Sequence, residues 1–158
     1  MKNTAEIFSL LFFLGALLPP FWGLYMIRLD SKLIINRIFL LLSLALSVWM
    51  LGFAMANSQS TVEVALLWRR FAAIGWTSIF SLILHFFLLI TDDSRESTFC
   101  KFRPLLYIPS LILMFVFSFS NKMSAVQYNL IKVDTGWINS VVNNTWDYLY
   151  YLFYGVYL

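Results

Sequence analysis

Long apolar runs separated by short polar segments dominate the pattern of this chain. Four of the runs contain about 20 residues each, the number that a helix needs to cross a hydrocarbon core about 30 Å thick. A fifth run begins near residue 148 and reaches residue 158. The pattern predicts an all-α membrane protein, a multi-pass helical bundle with four full spans and the start of a fifth, at residues 7–27, 38–56, 71–91, 104–120 and 148–158.

The fifth run has about half the length that a crossing requires. A helix that ended within hydrocarbon would leave its terminal carbonyl groups unsolvated. We therefore expect the 158 residues to form a single membrane domain at the front of a longer chain.

The polar segment between the fourth and fifth runs has the alternation of a small β-hairpin. Val126, Tyr128 and Leu130 alternate with polar residues, residues 134–136 (Asp-Thr-Gly) supply a turn, and an apolar, partly β-branched run resumes over residues 137–142. Two interpretations stay open at this stage. The hairpin is either a lid or ligand-binding cap over the outer mouth of the bundle, or a passive connector resting on lipid headgroups.

Composition agrees with lipid as the solvent. Of the residues, 61% are hydrophobic and 12% are charged, whereas soluble domains carry about 25% charged residues. The eleven Lys and Arg residues are scattered through the loops and form no basic stretch, which argues against nucleic acid as a partner. The main partner expected from composition is membrane lipid.

Catalytic and metal-binding signatures are missing from the sequence. Cys100 is the only cysteine, and no cluster of Cys and His has metal-ligand spacing. No Gly-rich phosphate loop, nucleophile elbow or kinase nucleotide-binding motif is present. We expect no cofactor, no bound metal and no enzymatic activity in these residues.

The charges that flank the first run predict its orientation. Lys2 and Glu6 precede it, whereas Arg28, Lys32 and Arg37 follow it. Because positive charge concentrates on the cytoplasmic side of a membrane, we expect the N-terminus outside. The loops at residues 28–37 and 92–103 are then cytoplasmic, and the predicted hairpin is extracytoplasmic.

A small, polar stripe marks the third run. Gly75, Ser78, Ser81 and His85 are separated by three, three and four residues, which places them on one face of a helix. Small residues allow close approach of another helix, and Ser and His form hydrogen bonds across it. We interpret the stripe as a helix interface that transmits a signal. His85 is read as a hydrogen-bonded interface residue in preference to a proton or ligand switch.

Small residues also mark one face of the second run. Trp49, Gly52 and Ala56 are separated by three and four residues. We expect this face to pack against the third helix.

Aromatic and basic residues at the predicted outer ends of the helices are candidates for ligand contact. Trp68 and Arg69 lie at the start of the third run, and Tyr128 and Trp137 belong to the predicted hairpin. An arginine in this position either receives an anionic ligand or acts as an anchor that extends toward headgroups, and the anchor is the commoner case for Arg69 and Arg70.

Several of these residues carry a resemblance to a known family. Residues 36–55 form an apolar helix with an internal Trp and Gly, and residues 63–70 and 73–75 supply an acidic-to-apolar helix start with a Trp, an Arg and a following Gly. This arrangement resembles the N-terminal seven-helix sensor region of bacterial histidine kinases, which is also found on diguanylate cyclases. The matching positions are Trp49, Gly52, Trp68, Arg69 and Gly75, and the similarity continues through Phe86, Phe87, Tyr107, Ile108 and Pro109.

The resemblance implies a sensory input domain in a bacterial plasma membrane. This domain detects an extracytoplasmic or membrane stimulus, a small molecule or a peptide, and relays it through helix rearrangement. It also implies an output domain in the parent chain, through which the protein forms a homodimer. The alternative function is a small transporter or permease subunit. Pro19, Pro20 and Pro109 predict helix breaks of the kind transporters use, but the sequence has no internal repeat and almost no charge within its spans.

Overall fold

The computed structural model describes residues 2–91, 103–140 and 145–157. Three long helices come first, α1 (Lys2–Leu29), α2 (Ile34–Asn57) and α3 (Val62–Thr91). The fourth segment consists of a 3₁₀ turn (Arg103–Tyr107), helix α4 (Ile108–Met114) and a π-helical turn (Phe115–Phe119). It is followed by α5 (Asn121–Tyr128), strands β1 (Leu130–Val133) and β2 (Gly136–Asn139), and α6 (Thr145–Tyr157).

The number of membrane-length helices differs from the sequence prediction. Three described helices, α1, α2 and α3, are long and apolar enough to cross a membrane, whereas the fourth run forms only a shorter apolar helical stretch, Pro104–Phe119. Four full spans are therefore not supported. The prediction of a fourth span depends on the length of the apolar run alone. Length does not show that the backbone of this run changes from 3₁₀ to α to π hydrogen bonding within a few turns.

The prolines singled out in the sequence lie within or at the start of helices in the structure. Helix α1 continues through Pro19 and Pro20 to Leu29. Pro109 is the second residue of α4, a position where an N–H group would have no helical acceptor. The fourth segment is irregular at both ends, with a 3₁₀ turn that contains Pro104 and a π turn, Phe115–Phe119, that contains no proline.

Small residues bring α2 and α3 close together. A Cβ atom on Gly52 would lie 2.6 Å from the Cβ atom of Ala72, and one on Gly75 would lie 2.4 Å from the carbonyl oxygen of Ala45. Such an approach of two backbones requires residues without a side chain at the contact. The predicted packing of the Gly52 face against the third helix is confirmed.

Helix α1 packs on α2 and leaves much of its surface exposed. The hydroxyl of Ser9 donates to the carbonyl oxygen of Ala54 at 2.7 Å, and that of Ser47 donates to the carbonyl oxygen of Ala16 at 2.6 Å. Large apolar side chains such as Leu18 and Phe21 point outward. An exposed surface of this kind is stable in hydrocarbon, so the face is suited to contact with lipid.

The hairpin is present but is shorter than the sequence predicts. Strands β1 and β2 are antiparallel, with Leu130 opposite Asn139 and Val133 opposite Gly136. The preceding residues belong to α5, so the expectation that Val126 and Tyr128 lie on a strand is wrong. Helix α5 ends where Asn129 adopts a positive φ of 25°. The predicted continuation through Val141 and Val142 lies outside the described residues, as does the loop at residues 92–102.

A cluster of buried apolar side chains joins the second half of the chain to α3. Its members come from α3, the fourth segment, α5 and α6, and are Ala73, Leu113, Phe117, Tyr128 and Phe153. This cluster places α5 and the hairpin over the end of the bundle where α2 finishes and α3 begins. A cavity lies beside it.

Candidate functional site

A cavity of about 260 Å³ lies beneath the hairpin, between α2, α3, the π turn and α6. Its walls are mostly aromatic, and the aromatic lining residues are Trp49, Phe53, Trp76, Phe117, Tyr128, Tyr150, Tyr151 and Tyr154. The polar lining residues are Arg69, Gln127, Asn139 and Ser140. Concave, mainly apolar sites with a few polar groups are typical of small-molecule binding.

The aromatic walls hold one another in a fixed arrangement. The ring of Trp76 makes edge contacts with Phe117, at a centroid distance of 5.1 Å, and with Tyr150, at 5.3 Å. The hydroxyl of Tyr150 donates to that of Tyr154 at 2.6 Å. Edge-to-face packing adds to the energy of burial and restricts the rings. Residues from α3, the π turn and α6 are thereby connected through one wall.

Arg69 is the charged residue among the described residues that line the cavity. Its side chain is only 5% exposed, although it belongs to a residue type that is rarely buried without a partner. The Nη2 atom donates to the carbonyl oxygen of Trp137 in β2, and the guanidinium lies 3.7 Å from the ring centroid of Phe53. The Nε atom has no hydrogen-bond partner among the described residues.

Tyr128 supports the backbone at the same position. Its hydroxyl donates to the carbonyl oxygen of Arg69 at 3.3 Å. Burial raises the pKa of the Tyr128 phenol above its ordinary value, because the charged phenolate is disfavoured away from water. The phenol therefore keeps its proton and remains a donor.

Trp137 anchors the hairpin and does not line the cavity. Its backbone N–H donates to Oδ1 of Asn57 at 3.2 Å, and its indole N–H donates to the carbonyl oxygen of Gln59 at 2.9 Å. Gly136, with a φ of 118°, lies against the same Asn57 side chain. The end of α2 and Arg69 thus hold the hairpin in place.

The structure brings together three of the four predicted ligand-contact residues. Arg69 and Tyr128 line the cavity, and Trp137 is bonded to Arg69. Trp68 lies elsewhere, in a groove shared with Arg70 and Phe71. Adjacent residues on a helix point about 100° apart, which is why Trp68 and Arg69 do not meet in one site.

The two adjacent arginines of α3 differ in burial and in their contacts. Arg69 is buried under the hairpin. Arg70 donates through Nε to the carbonyl oxygen of Ser118 at 3.0 Å and through Nη2 to that of Phe119 at 3.1 Å. Both acceptors lie in the π turn, so Arg70 satisfies carbonyl groups at the irregular end of the fourth segment. The burial of Arg69 does not fit an anchor that extends toward headgroups, whereas for Arg70, which is partly exposed, the anchor interpretation stays a prediction.

The polar stripe of α3 divides between two neighbours. Gly75 faces α2, and the hydroxyl of Ser78 donates to the carbonyl oxygen of Ile74 within its own helix at 2.7 Å. Ser81 and His85 face the fourth segment. The hydroxyl of Ser110 donates to that of Ser81 at 2.9 Å.

His85 makes a further polar contact between α3 and the fourth segment, at its 3₁₀ turn. Its Nδ1 atom is hydrogen-bonded to the hydroxyl of Tyr107 at 2.6 Å. This is the contact expected of an interface histidine. Together with the Ser81–Ser110 bond, it couples α3 to the start of the fourth segment.

The Ser81–Ser110 bond predicts a measurable coupling energy. We expect Ser81→Ala and Ser110→Ala each to lower the free energy of unfolding by about 1 kcal/mol, with a coupling of about 0.6 kcal/mol in the double variant, the average for such bonds between membrane helices. Unfolding of detergent-solubilised protein in sodium dodecyl sulfate measures both quantities. Ser78→Ala is the control, because that hydroxyl bonds within α3. Strictly additive effects of the two substitutions would contradict the assigned bond.

Sequence reasoning missed several residues that build the site. Asn57 and Gln59 lie at the end of α2 and carry no distinctive motif. Trp76 lies within the apolar run of α3, and the local pattern does not distinguish it from its neighbours. The tyrosines of α6 could have been found from the sequence, because Tyr150, Tyr151 and Tyr154 recur at helical spacing in a short run.

Comparison with known proteins identifies a family. No curated protein and no solved structure matches this chain. The family model described as the N-terminal 7TM region of histidine kinase matches residues 7–158, almost the whole chain. The chain, a membrane-type protein by its three long apolar helices, belongs to the family of N-terminal 7TM regions of histidine kinases.

Proposed function

We propose that this region is the sensory input module of a bacterial signal-transduction protein and that its stimulus binds in the cavity beneath the hairpin. The observation that carries the proposal is the position of Arg69. This buried residue lines the cavity and also bonds to the hairpin that covers it. A molecule that contacts Arg69 would therefore alter how the hairpin is held on α3.

The proposed relay runs along α3 to the fourth segment. Helix α3 contributes Arg69 to the cavity near one end and Ser81 and His85 to the contact with the fourth segment farther along. A ligand shifts a helix bundle between two packings only if it binds one of them more tightly. The bonds from Ser81 to Ser110 and from His85 to Tyr107 are the contacts that we propose differ between the two packings.

The orientation and the output follow from the same proposal. The N-terminus and the hairpin lie outside the plasma membrane, and the cavity opens to the extracytoplasmic side. Catalysis belongs to an output domain, a histidine kinase or a diguanylate cyclase, that follows this region in a longer chain and forms the homodimer. This region itself supplies binding and relay, with no catalytic group or cofactor.

A substitution that fills the cavity tests the proposal. Ser140 lines the cavity, so Ser140→Phe places a ring in the space that we assign to the stimulus. In the longer kinase chain reconstituted in lipid nanodiscs, we expect the autophosphorylation rate to change by about fivefold or more, the lower end of ordinary coupling between sites. The change is in either direction, because a filled cavity either mimics the ligand or blocks it.

The matched control is Ile138→Phe. Ile138 lies on β2, two residues before Ser140, and its side chain is 42% exposed. We expect this variant to have the autophosphorylation rate of the unmodified chain. Equal rates for Ser140→Phe, Ile138→Phe and the unmodified chain would exclude the cavity as the stimulus site.

A further inference from the structure

We propose that the ligand of this cavity is a small organic anion with a planar apolar body, whose negative charge is held by Arg69. The inference rests on the proposed function, because it names the chemical class of the stimulus for the same cavity. Its support is the charge of Arg69, the composition of the walls and the size of the space.

The charge of Arg69 is incompletely matched within the described part of the chain. The side chain is 5% exposed, and its described contacts are the carbonyl oxygen of Trp137 and the face of Phe53. Neither contact carries a full negative charge. None of the described residues that line the cavity is acidic. A buried cation in this situation is unfavourable unless an anion completes its environment.

The unpartnered donor of Arg69 matches the geometry of an anionic group. Its Nε atom is buried and has no hydrogen-bond partner among the described residues. Guanidinium groups present their donors in a planar fork that pairs with a carboxylate or a phosphate. An anionic group bound in the cavity, which Arg69 lines, would supply the missing charge.

The walls indicate the shape of the remainder of the ligand. Trp76, Phe117 and Tyr150 make edge contacts with one another along one side of the cavity. Aromatic walls favour flat apolar groups, which stack on them or meet them edge to face. The polar lining residues Asn139 and Ser140 come from the hairpin side, to which Arg69 is also bonded. The site is therefore polar on one side and aromatic on the other, as an amphiphilic anion requires.

The volume of the cavity suits a small molecule. The cavity of about 260 Å³ lies just below the range of about 300–1,000 Å³ that is typical of drug-sized ligands. A one- or two-ring aromatic acid fits this limit. The cavity is partly open, so a longer ligand would fit only with the rest of its length outside this space.

Two probes of nearly equal shape and different charge test the inference. We use 2-naphthoate and its neutral amide, 2-naphthamide, and measure their binding by calorimetry to the chain in lipid nanodiscs, with empty nanodiscs subtracted. We expect naphthoate to bind at least about tenfold more tightly than naphthamide, as for a charge-assisted hydrogen bond in a buried site. Equal affinities, or no binding of either probe at millimolar concentration, would overturn the inference.

Variants assign the preference to Arg69. We expect Arg69→Gln to remove the tenfold difference between the probes. Arg70→Gln is the matched control and should keep it, because Arg70 bonds to the π turn and does not line the cavity. Retention of the difference in Arg69→Gln would assign the charge preference elsewhere and overturn the inference. The comparison of acid and amide in the unmodified chain decides the question even if Arg69→Gln does not fold.

A carboxylate of the chain itself is the rival explanation. Asp147 precedes the cavity-lining Tyr150 by three residues in the sequence. If Asp147 neutralised Arg69, the instability of Arg69→Gln would be relieved by adding Asp147→Asn. Such a rescue would overturn the inference, and its absence supports an external anion.

Failure of the inference is distinguishable from failure of the proposed function. The kinase measurement with Ser140→Phe asks only whether the cavity controls output, and it uses no anionic probe. Equal affinity of the two probes with a changed rate in Ser140→Phe would leave the cavity as the stimulus site but reject an anion as its ligand. An unchanged rate with a clear naphthoate preference would leave an anion site without a sensory role.

Discussion

Replacing Gly75 with alanine is expected to separate α2 from α3 and to lower the free energy of unfolding by about 1–3 kcal/mol, the usual effect of forcing an extra methyl group into a packed contact. The new Cβ atom would lie 2.4 Å from the carbonyl oxygen of Ala45 and 2.6 Å from the backbone nitrogen of Trp49. Both are backbone atoms of α2, so no side-chain rotation relieves the overlap. Loss of helical circular dichroism in a titration with sodium dodecyl sulfate measures the change.

Gly155→Ala is the matched control for that prediction. A Cβ atom at this position meets nothing within 4 Å, and residue 155 lies within α6. Alanine is a better helix former than glycine by about 1 kcal/mol, so we expect an unchanged or slightly higher free energy of unfolding. A loss in Gly155→Ala as large as that in Gly75→Ala would show that the α2–α3 contact is not the cause.

The α2–α3 contact is the part of the fold that sequence spacing predicts best. Glycine at helical spacing identifies a face where another backbone approaches, and both Gly52 and Gly75 lie on such faces. The fourth run was misjudged because apolar length measures hydrophobicity and does not report the hydrogen-bond pattern. A π turn at residues 115–119 leaves no distinctive sequence signal, and its carbonyl groups bond to Arg70 from a distant part of the chain.

The hairpin was predictable at its turn and not at its start. Gly136 requires a positive φ and follows two turn-forming residues, so the reversal was evident in the sequence. The alternation before it covered only a few residues, which both a strand and a short helix accommodate. In the structure residues 121–128 are helical, and the ring of Tyr128 packs against that of Phe117, a tertiary contact that local pattern does not encode.

The sequence predicted several individual residues of the candidate site but not how they are arranged around the cavity. Arg69 and Arg70 are adjacent, and nothing in their order shows which side chain enters the bundle. The contacts that decide it come from distant residues, since Trp137 in the hairpin binds Arg69 and the π turn binds Arg70. The cavity depends on these long-range contacts, which is why the sequence identified polar and aromatic candidates without placing them around one space.

Removing the guanidinium of Arg69 is expected to release the hairpin. Arg69→Met leaves the carbonyl oxygen of Trp137 without its charged donor, and bonds to charged groups contribute about 1.5–3 kcal/mol. That energy corresponds to an increase of about tenfold or more in the open population of the hairpin. Lys132 lies on β1, so the rate of trypsin cleavage after Lys132, followed by mass spectrometry, measures the opening.

Arg70→Met separates the hairpin bond from a general effect of losing an arginine in α3. Arg70 bonds to Ser118 and Phe119, so its loss frees carbonyl groups of the π turn and leaves the bond from Arg69 to the hairpin in place. We expect Arg70→Met to cleave after Lys132 at the rate of the unmodified chain. If Arg69→Met and Arg70→Met were cleaved after Lys132 at the same rate, the bond from Arg69 would not be what holds the hairpin. The packing of α5 would hold it instead. A hairpin that opens in Arg69→Met alone connects the buried charge to the cover of the cavity, which is the link that the proposed sensing mechanism requires.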